Sequence, residues 1–300
     1  ALSLLKLYYR SNCCDTDHAT LSLSKGDQQE DDNLSGLIES YFRQLFDDRE
    51  VSEESKQSLW DYYNTKLSKA FDLGYNANSE FYDEELATAI KNNIAKFSAF
   101  KETSFRTQLE AALTEDGKVV PWSEFKKRAT ELNVEYNQRW LKTEYHHTIA
   151  TANGVDNWKR FEADADLYPN LRYNAVNDKR TRDAHRALDG LILPINHEFW
   201  TKHNVPLDWG CRCNLEQTDE EPSKTVPEIL VKGAFKNNAA LSKELFGEMP
   251  YESGMSAEQV KEAKAFANTK TKIDKTKKEI VDSIDGANIE AIEKYQKENK

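Results

Sequence analysis

Residues 177–213 read NDKRTRDAHRALDGLILPINHEFWTKHNVPLDWGCRC, and the reading of the whole chain turns on them. The stretch holds two of the four cysteines, three of the six histidines and two of the six tryptophans. Asp178 to Asp189 predicts a short helix, closed by Gly190, a residue free to take positive φ at the last turn. Asp178, Arg182, His185 and Asp189 recur at helical spacing and share one face of that helix, with Ala184 and Leu188 on another. Leu191-Ile192-Leu193, stopped by Pro194, is too short for a helix and predicts a strand. Phe199-Trp200 and residues 205–210 then form an aromatic, turn-rich loop that ends in Cys211-Arg212-Cys213.

Cysteines two apart point to opposite sides of an extended chain, so a Cys211–Cys213 bond would be strained. In a tight loop both thiolates can instead reach one metal, and zinc takes four sulfur or nitrogen ligands in a tetrahedron. His185 from the helix and His203 from the loop are the candidates to complete the set with Cys211 and Cys213. Such a zinc would be structural, fastening helix to loop where apolar mass is scarce. A second reading uses the same residues without metal. Asp178 caps the helix, Arg182 pairs with Asp178 or Asp189, His185 is a hydrogen-bonded buried imidazole, and the cysteines are small buried hydrophobes. The spacing differs from a Cys-x-x-Cys zinc finger. Both readings stand on the residues alone.

Asp178-x-Arg180-Thr181-Arg182-x-x-His185-x-x-Leu188-Asp189-Gly190, followed by Phe199-Trp200, Pro206 and Trp209-Gly210-Cys211-Arg212-Cys213, resembles the signature of the phage head morphogenesis family. These are the Mu F-like minor head proteins of tailed phages and prophages. The family usually shows two prolines before the cysteines, whereas Val205-Pro206 keeps one. The resemblance implies a structural, portal-associated minor head protein that acts in head morphogenesis and in DNA packaging and ejection. It also implies partners among the portal and other head proteins, and a place inside the virion or, during assembly, in the host cytoplasm. The residues expected to form the signature network are Asp178, Arg180, Arg182, Asp189, Gly190, Trp200, Trp209 and Arg212.

Composition bounds what else the chain can do. At 300 residues there is ample chain for a core, and 38% hydrophobic against 31% charged content suits exposed helices. The mean hydropathy of −0.80 agrees. A formal charge of −11 argues against wrapping DNA, which needs clustered Lys and Arg, and leaves only local contact. No apolar run approaches the roughly 20 residues that cross a bilayer. Ala1 to Tyr9 is apolar but lacks a basic start, so no signal peptide is expected. Adjacent Cys13-Cys14, without a spaced cysteine framework, suit a reducing compartment.

The pass along the chain predicts an α+β, mostly α fold: a helical body, a small helix-plus-β-hairpin signature module and a helical C-terminal tail. Its divisions are a flexible acidic arm (1–32), a helical domain (33–165), the module (166–255) and a charged helical tail (256–300). Order is expected from Leu34, where Leu37, Ile38, Tyr41, Phe42, Leu45 and Phe46 repeat at helical spacing. Ser52 caps a second helix that ends at Gly74. A third runs from about Phe81 to Lys101, and a fourth from about Ser104 to Asp116-Gly117. A long helix follows Pro121-Trp122, breaks or bends near Asn153-Gly154 and continues through Trp158-Phe161. Leu171 to Val176 predicts a strand paired with Leu191 to Leu193, and Glu216 to Pro227 a polar linker. From Ser256 a sparse apolar seam suits an exposed helix or one docked on a partner.

Signs of catalysis are few. Glu144 and His147 have Glu-x-x-His spacing, but a di-iron bundle needs a second copy and two more carboxylates. There is no Gly-rich phosphate loop, no Gly-x-Ser-x-Gly elbow and no His-Glu-x-x-His. The alternative to a structural protein is a zinc- or cysteine-dependent enzyme on nucleic acid or peptide, with Cys211 as thiolate and His185 as base.

Overall fold

The computed structural model describes residues 25–268. The expected arm up to residue 24 and the tail from residue 269 lie outside them. The fold is α+β and mostly α. Five long helical segments make the body: α1 (Lys25–Asp48), α2 (Glu53–Gly74), α3 (Glu84–Ala112), α4 (Trp122–Asn133) and α5 (Leu141–Ala163). Their buried faces carry the periodic residues, among them Tyr41, Phe42 and Leu45 on α1 and Leu59, Tyr63, Leu67 and Phe71 on α2. Ser52 caps α2 by accepting from the Ser55 amide, and Asp83 caps α3 by accepting from Leu86. Gly74 ends α2 against α5: an added Cβ would lie 2.6 Å from the Ile149 carbonyl oxygen, a separation only glycine tolerates.

The body departs from expectation in three places. First, α1 begins at Lys25, inside the expected acidic arm, and not at Leu34. Once a packed stripe has nucleated a helix, each further residue adds a hydrogen bond at little cost. Second, the two helices expected on either side of Lys101–Ser104 are the single helix α3. That polar stretch reads as a loop, yet Lys101, Glu102, Thr103, Ser104 and Arg106 are all buried with partners. Third, α5 runs unbroken through Asn153-Gly154. Gly154 serves close approach instead, since an added Cβ would stand 3.0 Å from the Val205 carbonyl oxygen.

A π-helical turn (Val134–Trp140) joins α4 to α5. Its Tyr136 carbonyl accepts from the Leu141 amide and also from Lys101 Nζ, at 2.7 Å. Asp116-Gly117, expected to end a helix, turns a short hairpin between β1 (Thr114–Glu115) and β2 (Lys118–Val119). Both turn residues have positive φ, the geometry that suits a two-residue loop.

Beyond the body lies a three-stranded antiparallel sheet in the order β4-β3-β5, made of β3 (Asn170–Asn174), β4 (Ile192–Pro194) and β5 (Asn214–Thr218). The expected pairing is present, with Leu171 opposite Leu193 and Arg172 opposite Ile192. β5 was not expected; it runs into the segment read as linker and sets Leu215 opposite Tyr173. Downstream, Phe235, Phe246 and Tyr251 turn back into the body, Phe246 stacking on Phe97 at 4.7 Å. The tail, expected to be exposed or docked on a partner, is over 257–268 a helix docked on the body. Ala263 and Ala267 are buried there, and Glu262 pairs with Arg106 at 2.6 Å. Among the described residues the main hydrophobic cluster runs from Leu34 through Trp209 and Tyr251 to Ala263, and a smaller one gathers Trp60, Ala95, Ala99 and Ala267. None of the described helices is long and apolar enough to cross a membrane.

Candidate metal centre and signature network

The signature folds by local hydrogen bonding more than by helix. Only Asp183–Arg186 is helical (α6), so the predicted helix from Asp178 to Asp189 is corrected. The Asp178 carboxylate accepts from the Arg180 amide at 2.9 Å and the Thr181 hydroxyl at 3.3 Å. Such Asx bonding offers the backbone an alternative to helix. Asn177 just before it takes a positive φ of 59°. Gly190 has φ of 77°, and its amide donates to the Tyr173 carbonyl, so the turn after α6 closes onto β3.

Two ion pairs tie this turn to the loop of the cysteines. Arg212 grips Asp178 with both terminal nitrogens, each at 2.8 Å. This bidentate contact holds the Asp178 carboxyl well below the usual carboxylate range. Arg182, expected to pair with Asp178 or Asp189, instead meets Asp208 at 3.2 Å and donates to the Trp209 carbonyl at 2.7 Å. Lys232 reaches Asp208 from the other side at 3.1 Å. Arg180 lies 3.9 Å from Asp178. Asp189 accepts from the Ala175 amide at 2.8 Å and from the Asn177 side chain. Trp200 is fully buried and donates to the Pro194 carbonyl at 3.1 Å. Trp209 is also fully buried, within 5 Å of His147 and Phe235 between ring centres (4.8 and 4.9 Å).

The polar turn and the Cys-Arg-Cys loop therefore meet, and three of the four candidate ligands converge. His185 Nδ1 lies 3.6 Å from Cys211 Sγ and 3.6 Å from Cys213 Sγ. The three ligand atoms lie within 4.8 Å of one another. His203 is not with them. Its Nδ1 is 2.9 Å from the Phe199 carbonyl oxygen, and its ring stacks on Phe199 at 4.2 Å. Among the described residues the group of possible ligands holds His185, Cys211 and Cys213 without it. Burial pushes the His203 imidazole down in pKa.

Sequence reasoning missed a fourth member, Tyr173. Its side chain is fully buried from the middle of the sheet, and its hydroxyl has no well-formed hydrogen bond among the described residues. Burial, and then the sulfurs of Cys211 and Cys213, push its pKa up. The Cys211 thiol and the His185 ring hold Cys213 low, while hydrogen bonding to Cys213 and burial push Cys211 up. The alternation of Leu171 and Tyr173 along β3 was the available signal, since both point to one face. Glu144 and His147 hold no such site. Glu144 pairs with Lys101, and His147 packs among Trp209, Phe235 and Phe246.

The signature, residues 178–213, lies within a stretch, residues 103–216, that matches the family described as Phage Mu protein F like protein. The matched span runs from the middle of α3 through both cysteines into β5. The resemblance carried by the signature therefore holds. The putative capsid assembly protein F of Escherichia phage Mu is 38% identical over 77 residues, 26% of this chain and 18% of that protein. The Mu-like prophage FluMu F protein of Haemophilus influenzae is 38% identical over 82 residues, 27% of this chain and 20% of that protein. The matches thus span about a fifth of the length of these curated relatives. No solved structure matches the chain.

Proposed function

We propose that this chain is part of a head protein of a Mu-like phage or prophage and works in capsid assembly as a structural component. The match of residues 103–216 to the Mu F-like family, with the 38% identity over 77 residues to a relative named putative capsid assembly protein F, is the observation that carries this reading. The chemistry of the fold supports it. The signature residues are spent on holding two loops and a sheet together through Arg212–Asp178, Arg182–Asp208 and the His185–cysteine trio. In this reading they brace a docking surface and do not turn over a substrate. The finer partner is the portal, with the protein inside the head, reaching the virion from the host cytoplasm during assembly and acting in packaging and ejection of DNA. The net charge of −11 confines DNA contact to local cationic spots.

Co-purification tests this. The tagged chain is expressed with the portal and major head proteins encoded in the same phage or prophage genome. The reading expects the portal protein to be retained with it at moderate salt. Asp178→Ala and Arg212→Ala, which remove one of the two ion pairs between the turn and the cysteine loop, are expected to weaken capture while the helical circular dichroism stays unchanged. Retention of neither head protein by the intact chain overturns the reading.

A further inference from the structure

We propose that the module binds one zinc ion through Cys211 Sγ, Cys213 Sγ and His185 Nδ1, with the Tyr173 hydroxyl facing the fourth position. Zinc–sulfur bonds of about 2.3 Å and a zinc–nitrogen bond of about 2.0 Å, set at a tetrahedral angle, place sulfur and nitrogen about 3.5 Å apart. The two sulfur–nitrogen separations here are each 3.6 Å. One nitrogen equidistant from two sulfurs is the triangle that a shared ion needs, and it is supplied by one side chain from α6 and two from the cysteine loop.

Tyr173 is the independent observation. The buried hydroxyl has no oxygen or nitrogen partner among the described residues, and the only acceptor it meets is the Cys213 sulfur, a weak one. It comes from the sheet, an element apart from α6 and the cysteine loop, and its polar neighbours are the same two sulfurs. An oxygen in that place closes a set of two sulfurs, one nitrogen and one oxygen. The nearby cations do not compete with a metal, because Arg182 is engaged by Asp208 and Arg212 by Asp178. Two thiolates also balance the charge of a divalent ion in a half-buried site. The imidazole would ligate through Nδ1 in its neutral form, with the proton on Nε2. The ion would close the polar turn and the cysteine loop onto β3.

Metal analysis of the full chain, purified without chelator, tests this, together with titration of the apo chain by Co2+. The expected result is one zinc per chain. Cobalt is expected to give thiolate charge-transfer absorption and the d–d bands of a tetrahedral site. His185→Ala, Cys211→Ser and Cys213→Ser each abolish that spectrum. Tyr173→Phe keeps it with affinity lowered about tenfold, the scale of losing a partner beside a metal. His203→Ala and the Cys13→Ser/Cys14→Ser double variant keep metal at wild-type affinity, which separates this site from other ligands. Background zinc with no cobalt spectrum in the folded wild type overturns the proposal. So does loss of metal in the His203 or Cys13/Cys14 variants, or a Cys211–Cys213 disulfide found by mass spectrometry. None of these readouts depends on head proteins, so failure here is distinct from failure of the assembly reading.

Discussion

His147 joins the helical body to the signature module on one ring. It projects from α5 and packs against Trp209 of the signature and against Phe235 and Phe246 downstream. Burial alone lowers its pKa from 6.5 to about 3. Between those values the unfolded chain takes up a proton that the folded chain refuses. Stability is therefore expected to fall as pH drops below about 6.5, by about 1.4 kcal/mol per unit. Urea unfolding of wild type and His147→Leu between about pH 4 and 6 measures this. The variant is expected to lack that part of the slope, and parallel curves would mean that the imidazole protonates in place. Trp209 faces the same ring and is fully buried. Trp209→Ala is expected to cost about 3–5 kcal/mol in denaturant unfolding, the range for removing a buried aromatic.

Among elements, α3, α5 and the turn at Pro250–Glu252 are joined by a buried charge. Lys101 Nζ lies 3.0 Å from Glu144 Oε2 and 2.7 Å from both the Tyr136 carbonyl and the Tyr251 hydroxyl. Tyr251 also donates to Glu144. Desolvation lowers the Lys101 pKa to about 8. Lys101→Ala leaves the carboxylate buried without its cation and is expected to cost about 3–5 kcal/mol, measured by chemical denaturation. Lys101→Met with Glu144→Leu is expected to cost less than the sum of the single changes, as contacting residues do. This network also explains where sequence reading ran out. Helices with an apolar stripe were legible at α1, α2 and α5, because burial of aliphatic and aromatic residues sets the period. The burial of Lys101, Glu102 and Arg106 was not legible, because a charged side chain reveals its burial only when the distant partner is known. β5 was hidden for a related reason: Asn214–Thr218 is polar and becomes a strand only by pairing with β3. In the site, Cys211, Cys213 and His185 could be read from residue chemistry. Tyr173 could not, since its role depends on which face of β3 meets the cysteine loop.

Across the whole molecule, the body and the signature share one core, while the surface of the module mixes charged side chains with exposed apolar ones, Leu167, Val176 and Leu230 among them. Arg186, Asp189, Lys179, Lys202 and Arg212 are all exposed there. A surface of that kind, held rigid from beneath by Trp200, Trp209 and the His185–cysteine trio, suits docking on another protein with little ordering cost. The central claim is that the module, and not the helical body, makes the contact within the phage head. Crosslinking of assembled heads with a lysine-reactive reagent, followed by mass spectrometry, tests it most directly. The account predicts links from Lys179 and Lys202 of the module to the portal or a neighbouring head protein. Links confined to body lysines such as Lys69, Lys127 and Lys142, with the module lysines joined only within the chain, would contradict it.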